Sequence, residues 1–242
     1  MARRYAKRRT YKRFARRRRK IQRRSYRKNM YSRSGIPNQK VVTLVAMDYF
    51  ELSLTTADAV RRKINANGTY APFVTSGTQP LGQDQWGLLY RRATVISSKL
   101  TIWTMGYTQE GAPASDYPII AITLSNEDEE PTAEIYNTMM QANTKFLPLQ
   151  MGDSGRPFKL SHTYNAKRWH NIKDIKDADG LEYLLDDSSD PGGLPEDRTA
   201  FWVSLGPSDK SAPAGAISLI FTARIEYKLL LKDPRILPPS VQ

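Results

Sequence analysis

An all-β antiparallel sandwich behind a polycationic arm is the fold this sequence predicts, and three observations predict it. Several segments alternate apolar and polar residues with period two, the longest of them from Ile217 to Lys232. Irregular stretches rich in Gly, Pro, Thr and Asp separate these segments, as they do in sandwiches whose loops carry external features. The first forty residues hold eighteen Lys and Arg and no Asp or Glu.

The charge is partitioned rather than spread. Of 37 basic and 24 acidic side chains, residues 41–242 keep 19 and 24, so the net +13 divides into +18 on the first forty residues and −5 on the rest. A segment of that composition buries too little apolar surface to offset the entropy of ordering it, and its charges repel. The expectation is an arm that is disordered until it meets a polyanion. Nucleic acid is the expected polyanion, because each neutralised phosphate releases condensed counterions and no particular base is needed. The binding residues expected are Arg3, Arg4, Lys7, Arg8, Arg9, Lys12, Arg13, Arg16, Arg17, Arg18, Arg19, Lys20, Arg23, Arg24, Arg27 and Lys28. Arginine suits bidentate contact with phosphate. Tyr5, Tyr11, Phe14, Tyr26 and Tyr31 lie among the cations, and rings of this kind stack on unpaired bases at about 1–3 kcal/mol each, which leans the arm towards single strands. The same composition serves as a nuclear-localisation signal. It lacks the leucine face of a membrane-surface helix.

Length allows one domain after the arm, with residues 1–40 as arm and linker and 41–242 as the folded body. No apolar run is long enough to span a bilayer, so no membrane insertion is expected, and no apolar segment of signal-peptide type follows the basic start. With no cysteine, disulfides and Cys-bearing metal sites are excluded. No cofactor is expected. Asn67-Gly68-Thr69 reads as a turn, and its match to the glycosylation sequon as idle.

In order along the body, Val42, Leu44, Ala46, Phe50, Leu52 and Leu54 share one parity, interrupted only by Asp48, and predict a half-buried strand. Val60 and Ile64, four apart between Thr56 and Gly68, predict a short helix over 57–65, and residues 68–84 read as a loop. The chain picks up again at Trp86. Ile96, Leu100 and Ile102 alternate with Ser97, Lys99 and Thr101 as a second long strand. Residues 118–124 form an apolar run suited to the middle of a sheet. A helix is expected at 132–142 with Ile135, Met139 and Met140 inward, then strands containing Phe158, Leu160, His162 and Tyr164, and Phe201, Val203 and Leu205. Residues 177–198 are acidic and turn-rich, and 186–193 read as an exposed loop without the spacing of a calcium loop. The last strand is the clearest: Ile217, Leu219, Phe221, Ala223, Ile225, Tyr227, Leu229 and Leu231 occupy every odd position. The version of the sandwich this order favours is an eight-stranded jelly roll.

A basic arm joined to a near-neutral β-sandwich is the layout of many small viral coat subunits, and particular residues narrow the resemblance. Phe221–Pro234, ending Leu-Lys-Asp-Pro, resembles the final strand and terminus of circovirus capsid proteins. Leu89–Trp103, with Tyr90-Arg91-Arg92 leading into a long strand, is similar to their tyrosine-arginine stretch. Arg156-Pro157-Phe158 and Phe201-Trp202-Val203 follow in the corresponding order. The resemblance implies a homo-oligomeric shell of T=1 icosahedral type, about sixty copies around a circular single-stranded DNA, with roughly a thousand inward cations from the arms. It also implies a virion location, passage to the host nucleus on the host import machinery, and a cell-surface receptor or polyanion that the sequence does not specify.

Gly152-Asp153-Ser154-Gly155-Arg156-Pro157 points to another class, since it resembles the nucleophile loop of chymotrypsin-like serine proteases and of the alphavirus capsid proteases. In that family the general-base His precedes the nucleophile, whereas His162 and His170 both follow Ser154. Eight extended residues put an imidazole about 25 Å from the serine. A turn before the strand at Arg156 is the ordinary reading, and no catalytic residue is assigned. The alternatives to a capsid subunit are such a protease or a nuclear DNA-binding factor. His162 is expected on a partly buried face rather than on a metal. Lys167, Arg168, Trp169 and His170 form a basic patch with an aromatic, a possible secondary nucleic-acid contact whose bland reading is a solvated turn. Arg61-Arg62-Lys63 poses the same choice, and Arg91 and Arg92 are expected either there or in pairs with the acidic loops.

Overall fold

The computed structural model describes residues 36–74, 79–109, 118–126, 129–149, 158–185, 194–213 and 215–235. Residues 3–28 of the arm, the Gly152–Pro157 motif and the 186–193 loop lie outside the described residues.

Nine antiparallel strands are found among them: β1 (Gln39–Leu54), β2 (Val60–Asn65), β3 (Tyr90–Gln109), β4 (Ile119–Asn126), β5 (Thr144–Pro148), β6 (Lys159–Asn165), β7 (Glu182–Leu184), β8 (Thr199–Gly206) and β9 (Ile217–Pro234). One sheet has the order β1-β9-β3-β6, with β7 also on β3, and the other β2-β8-β4-β5. The pairs β1·β9, β2·β8, β3·β6 and β4·β5 nest one inside the next along the sequence, the winding of a jelly roll. The expected fold is therefore present, with β7 as an addition to the eight strands. Three residues among acids and turn formers are too short a period-two signal to read, yet Leu181, Tyr183 and Leu185 are buried there.

The interior lies between the sheets. All eight odd positions of β9 from Ile217 to Leu231 are buried, and they meet Val42, Leu44, Ala46, Phe50, Leu52 and Leu54 of β1 as the alternation requires. Phe221 is the ring at the centre, with Phe50 at 5.5 Å and Phe158 edge-on at 6.2 Å. From the other sheet come Ile64, Ile120, Ile122, Leu124, Phe201, Val203 and Leu205. Central strand β4 is buried on both faces from Ile119 to Leu124. Its outer face forms a small second cluster, Ile119 and Ala121 with Ala59 and Ile135, under the short helix α2 (Ile135–Met139), which follows α1 (Gln83–Leu89) in the chain.

Four expectations are corrected. Residues 60–65 form strand β2, not a helix. Val60 and Ile64 are four apart, which fits either period, and the antiparallel ladder to β8 decides between them by satisfying the backbone. Ile96 packs on the core but is only partly buried, unlike Leu100 and Ile102, because the register slips between Val95 and Ser97, making Ile96 the extra residue of a bulge. Inward positions are odd before it (Ala93, Val95) and even after it (Ser98, Leu100, Ile102). Met140 is 81% exposed, since the helix ends at Met139 before Met140 can turn inward. The loop over 68–84 is shorter than expected, because α1 begins at Gln83 and carries Trp86 before β3 starts. Asn67 is buried, its Nδ2 donating to the Asp197 carbonyl and its Oδ1 accepting from Thr199 N–H at 2.9 Å, so the sequon is closed to modification in the folded state.

Candidate nucleic-acid interface

Strand β6 ends where its side chains begin to cap the next turn. Asn165 Oδ1 accepts the Arg168 N–H at 3.2 Å, opening the single-turn helix α3 (Ala166–Trp169), and Asn171 at φ 53° ends the segment. Ala166 is buried and pins the turn, which leaves Lys167 and Arg168 exposed and Trp169 and His170 half-buried. Lys167 Nζ donates to the Lys173 carbonyl at 3.0 Å. His170 Nε2 and the buried Tyr164 hydroxyl lie 3.1 Å apart, and burial holds the imidazole below its ordinary pKa while Asp197 opposes the shift. The four-residue patch is thus real, but half of it is tied into the fold.

What the fold adds is Lys145. It lies on β5, in the other sheet, and its Nζ reaches across to the Ser161 carbonyl of β6 at 3.2 Å, where the two sheets meet. Between them is His162. Its Nε2–H donates to the Asn143 carbonyl at 2.9 Å, its Nδ1 accepts from the Thr163 N–H at 2.8 Å, and its ring packs 6.0 Å from Phe201. Burial lowers its pKa, and the neighbouring Lys145 charge adds to that. The partly buried place expected for His162 is the one it has. Both ring nitrogens are engaged, so no lone pair is free for a catalytic base.

Lys145, Lys167, Arg168, Trp169 and both histidines line one open groove, with Asn126, Asn143, Thr144, Thr163 and Asn165 among the rest and no carboxylate among the described lining residues. The adjoining depression, which shares Asn126 and His170, is of mixed sign, with Asp179, Glu182, Glu196 and Asp197 facing Arg91, Arg92 and Arg198. Arg92 is paired with Glu182 at 2.9 Å and Asp233 at 3.3 Å, as the acidic-loop reading expects. Lys145 was invisible in the sequence. It stands alone in its strand, and only the approach of β5 to β6 brings it to the patch.

The Arg61-Arg62-Lys63 cluster disperses, because neighbouring strand residues point to opposite faces. Arg61 pairs with Glu130 at 2.9 Å and donates to the Thr132 carbonyl, Arg62 lies over the Phe50 ring at 5.7 Å, and Lys63 lies 6.0 Å over Trp202. Among the described residues no group of three or more His, Asp or Glu side chains is gathered as a metal site. No described helix is long and apolar enough to cross a membrane.

No family model matches this chain, and no curated protein matches it. Solved structures of virus capsids are similar to it. Mud crab tombus-like virus is 10% identical, with a TM-score of 0.46 over 83% of this chain and 84% of that one. Tobacco necrosis virus is 14% identical, at 0.43 over 82% and 97%. The decameric BFDV capsid protein is 9% identical, at 0.43 over 80% and 100%. Capsids of several kinds match to the same degree.

Proposed function

We propose that this chain is the capsid protein of a small virus, non-enzymatic, assembling with copies of itself into a closed shell and holding the genome through residues 1–40. The observation that carries the reading is the junction of two opposites: a segment of charge +18 runs directly into edge strand β1 of a jelly roll, while the remaining 202 residues are near neutral at −5. Such an arm binds phosphates by counterion release, and a body of slight negative charge does not compete for them. Large apolar side chains left exposed support self-association, among them Tyr49 at 77%, Met47 at 55%, Leu81 at 88% and Leu88 at 70%.

The finer reading is a T=1 shell around circular single-stranded DNA, with nuclear import through the same arm. It is supported by the circovirus-like Tyr90-Arg91-Arg92 and Leu231–Pro234 motifs and by the aromatic residues among the arm's cations. The protease alternative is disfavoured by the engagement of both His162 nitrogens.

Electron microscopy of the purified full chain, followed by nuclease treatment and extraction of protected nucleic acid, tests the proposal. Uniform closed particles enclosing single-stranded DNA are expected, and a variant lacking residues 1–33 is expected to fold but to enclose none. A monodisperse monomer under assembly conditions, or truncated particles packaging DNA at full stoichiometry, would overturn it. Ser154→Ala leaves the chain's processing unchanged on this reading.

A further inference from the structure

We infer that the groove between β5, β6 and α3 is a second contact for single-stranded nucleic acid, separate from the arm, in which Lys145, Lys167 and Arg168 hold phosphates and the Trp169 indole takes a base. The inference rests on the nucleic-acid-binding reading above and gives that reading a site on the folded body.

Three cations from two elements, β5 and α3, converge here on a lining with no carboxylate among its described residues. None of the three makes an ion pair among the described residues. Some described cations elsewhere are matched, Arg61 by Glu130, Arg92 and Lys232 by Glu182, and Arg224 by Glu226. An unmatched cluster in a partly matched surface concentrates positive potential in the groove. Lys145 and Lys167 each give one N–H to a backbone carbonyl, which holds the ammonium in place and leaves two of its three donors for a ligand. Anchored donors lose less side-chain entropy when an anion arrives.

Trp169 distinguishes the class of anion. It is half-buried, with one part packed on the core and the rest in the groove beside Arg168. Sulfated polysaccharide is satisfied by the cations alone, whereas an unpaired base uses a ring fixed beside phosphate-binding cations, and such stacking tolerates any sequence. A duplex keeps its bases inside and gains nothing from the indole.

The test uses the full chain and an oligodeoxynucleotide substituted with 5-iododeoxyuridine, which photo-crosslinks to aromatic side chains, with crosslinked peptides mapped by mass spectrometry. Crosslinks are expected at the arm's tyrosines and, separately, at Trp169. Lys167→Glu/Arg168→Glu and, independently, Lys145→Glu are expected to lose the Trp169 crosslink while keeping those in the arm and the wild-type melting temperature. Arm crosslinks without one at Trp169 overturn the groove and leave the arm standing, and no crosslink anywhere overturns both. A Trp169 crosslink that survives charge reversal overturns the phosphate roles. Protection of Lys145 and Lys167 from acetylation by a heparin fragment but not by the oligonucleotide assigns the groove to a glycan and also overturns the inference.

Discussion

Lys232 Nζ donates to Glu182 Oε2 at 2.6 Å, joining the end of β9 to β7 where the two side chains are only 10% and 14% exposed. The second carboxylate oxygen of Glu182 accepts from Arg92 of β3 at 2.9 Å, so one acid fastens three strands. Burial works to raise the pKa of Glu182, but the hydrogen bonds and charges of Lys232 and Arg92 outweigh it and the net shift is downward. Its contribution to stability is therefore complete above the ordinary carboxylate value and lost as pH falls through the depressed one.

Lys232→Met is expected to cost about 3 kcal/mol, because it leaves a largely buried carboxylate with only the half-exposed Arg92 as its ion-pair partner. Arg92→Ala, with a side chain 49% exposed, is expected to cost under about 1 kcal/mol. Denaturant unfolding of both, and of Lys232→Met/Glu182→Leu, which should recover most of the loss, checks the assignment. A neutral Lys232→Met would refute it.

His162 is held neutral by burial beside Lys145, with its pKa below the ordinary histidine value. The unfolded chain then binds the proton first, so stability is full above about pH 6.5 and declines as pH falls through the lowered value. His170 shifts in the same direction. Melting temperatures from pH 7.5 to 5 should fall less steeply in His162→Gln, which keeps a donor for the Asn143 carbonyl but does not titrate. Equal slopes would exclude His162 as a source of the pH dependence.

Phe221 and Ile220 are neighbours with opposite fates. Phe221→Ala removes the central ring of the Phe50–Phe221–Phe158 cluster and is expected to cost about 3–5 kcal/mol. Ile220→Ser, on the outer face at 40% exposure, is expected to stay within about 0.5 kcal/mol in the isolated chain. If Ile220 contributes to packing between copies, its variant will instead impair assembly, which particle counts separate from folding.

A Cβ on Gly206 would lie 2.5 Å from Ile135 Cβ, so α2 sits on the second sheet only because that position is bare. Gly206→Ala should destabilise by about 1–3 kcal/mol, and part of this should be relieved when combined with Ile135→Gly, which removes the Cβ it meets. Additive losses in that double variant would mean that the clash lies elsewhere.

Strands were legible wherever one face is buried for many residues in a row. The parity of β1 and β9 reads directly into burial at Leu44, Phe50, Phe221 and Tyr227, and the unbroken apolar run of β4 into a strand covered on both faces. The site was half legible. Lys167, Arg168, Trp169 and His170 are contiguous and stand out, whereas Lys145 is a single cation in an unremarkable strand. Arg61, Arg62 and Lys63 looked like one cluster only while the segment was read as a helix.

By itself the chain determined its charge partition, its long strands and the face each long strand turns inward, because these follow from residue type and a local period. Tertiary structure alone decided the rest: that 60–65 pairs with β8 instead of coiling, that Ile96 is the unpaired residue of a bulge at which the inward parity of β3 reverses, and that β5 meets β6 to put Lys145 in the same groove as Lys167. Each of these is set by which backbone is available as a hydrogen-bonding partner, 16 residues away for Lys145 and over a hundred for β2 and β3, beyond the reach of any local pattern.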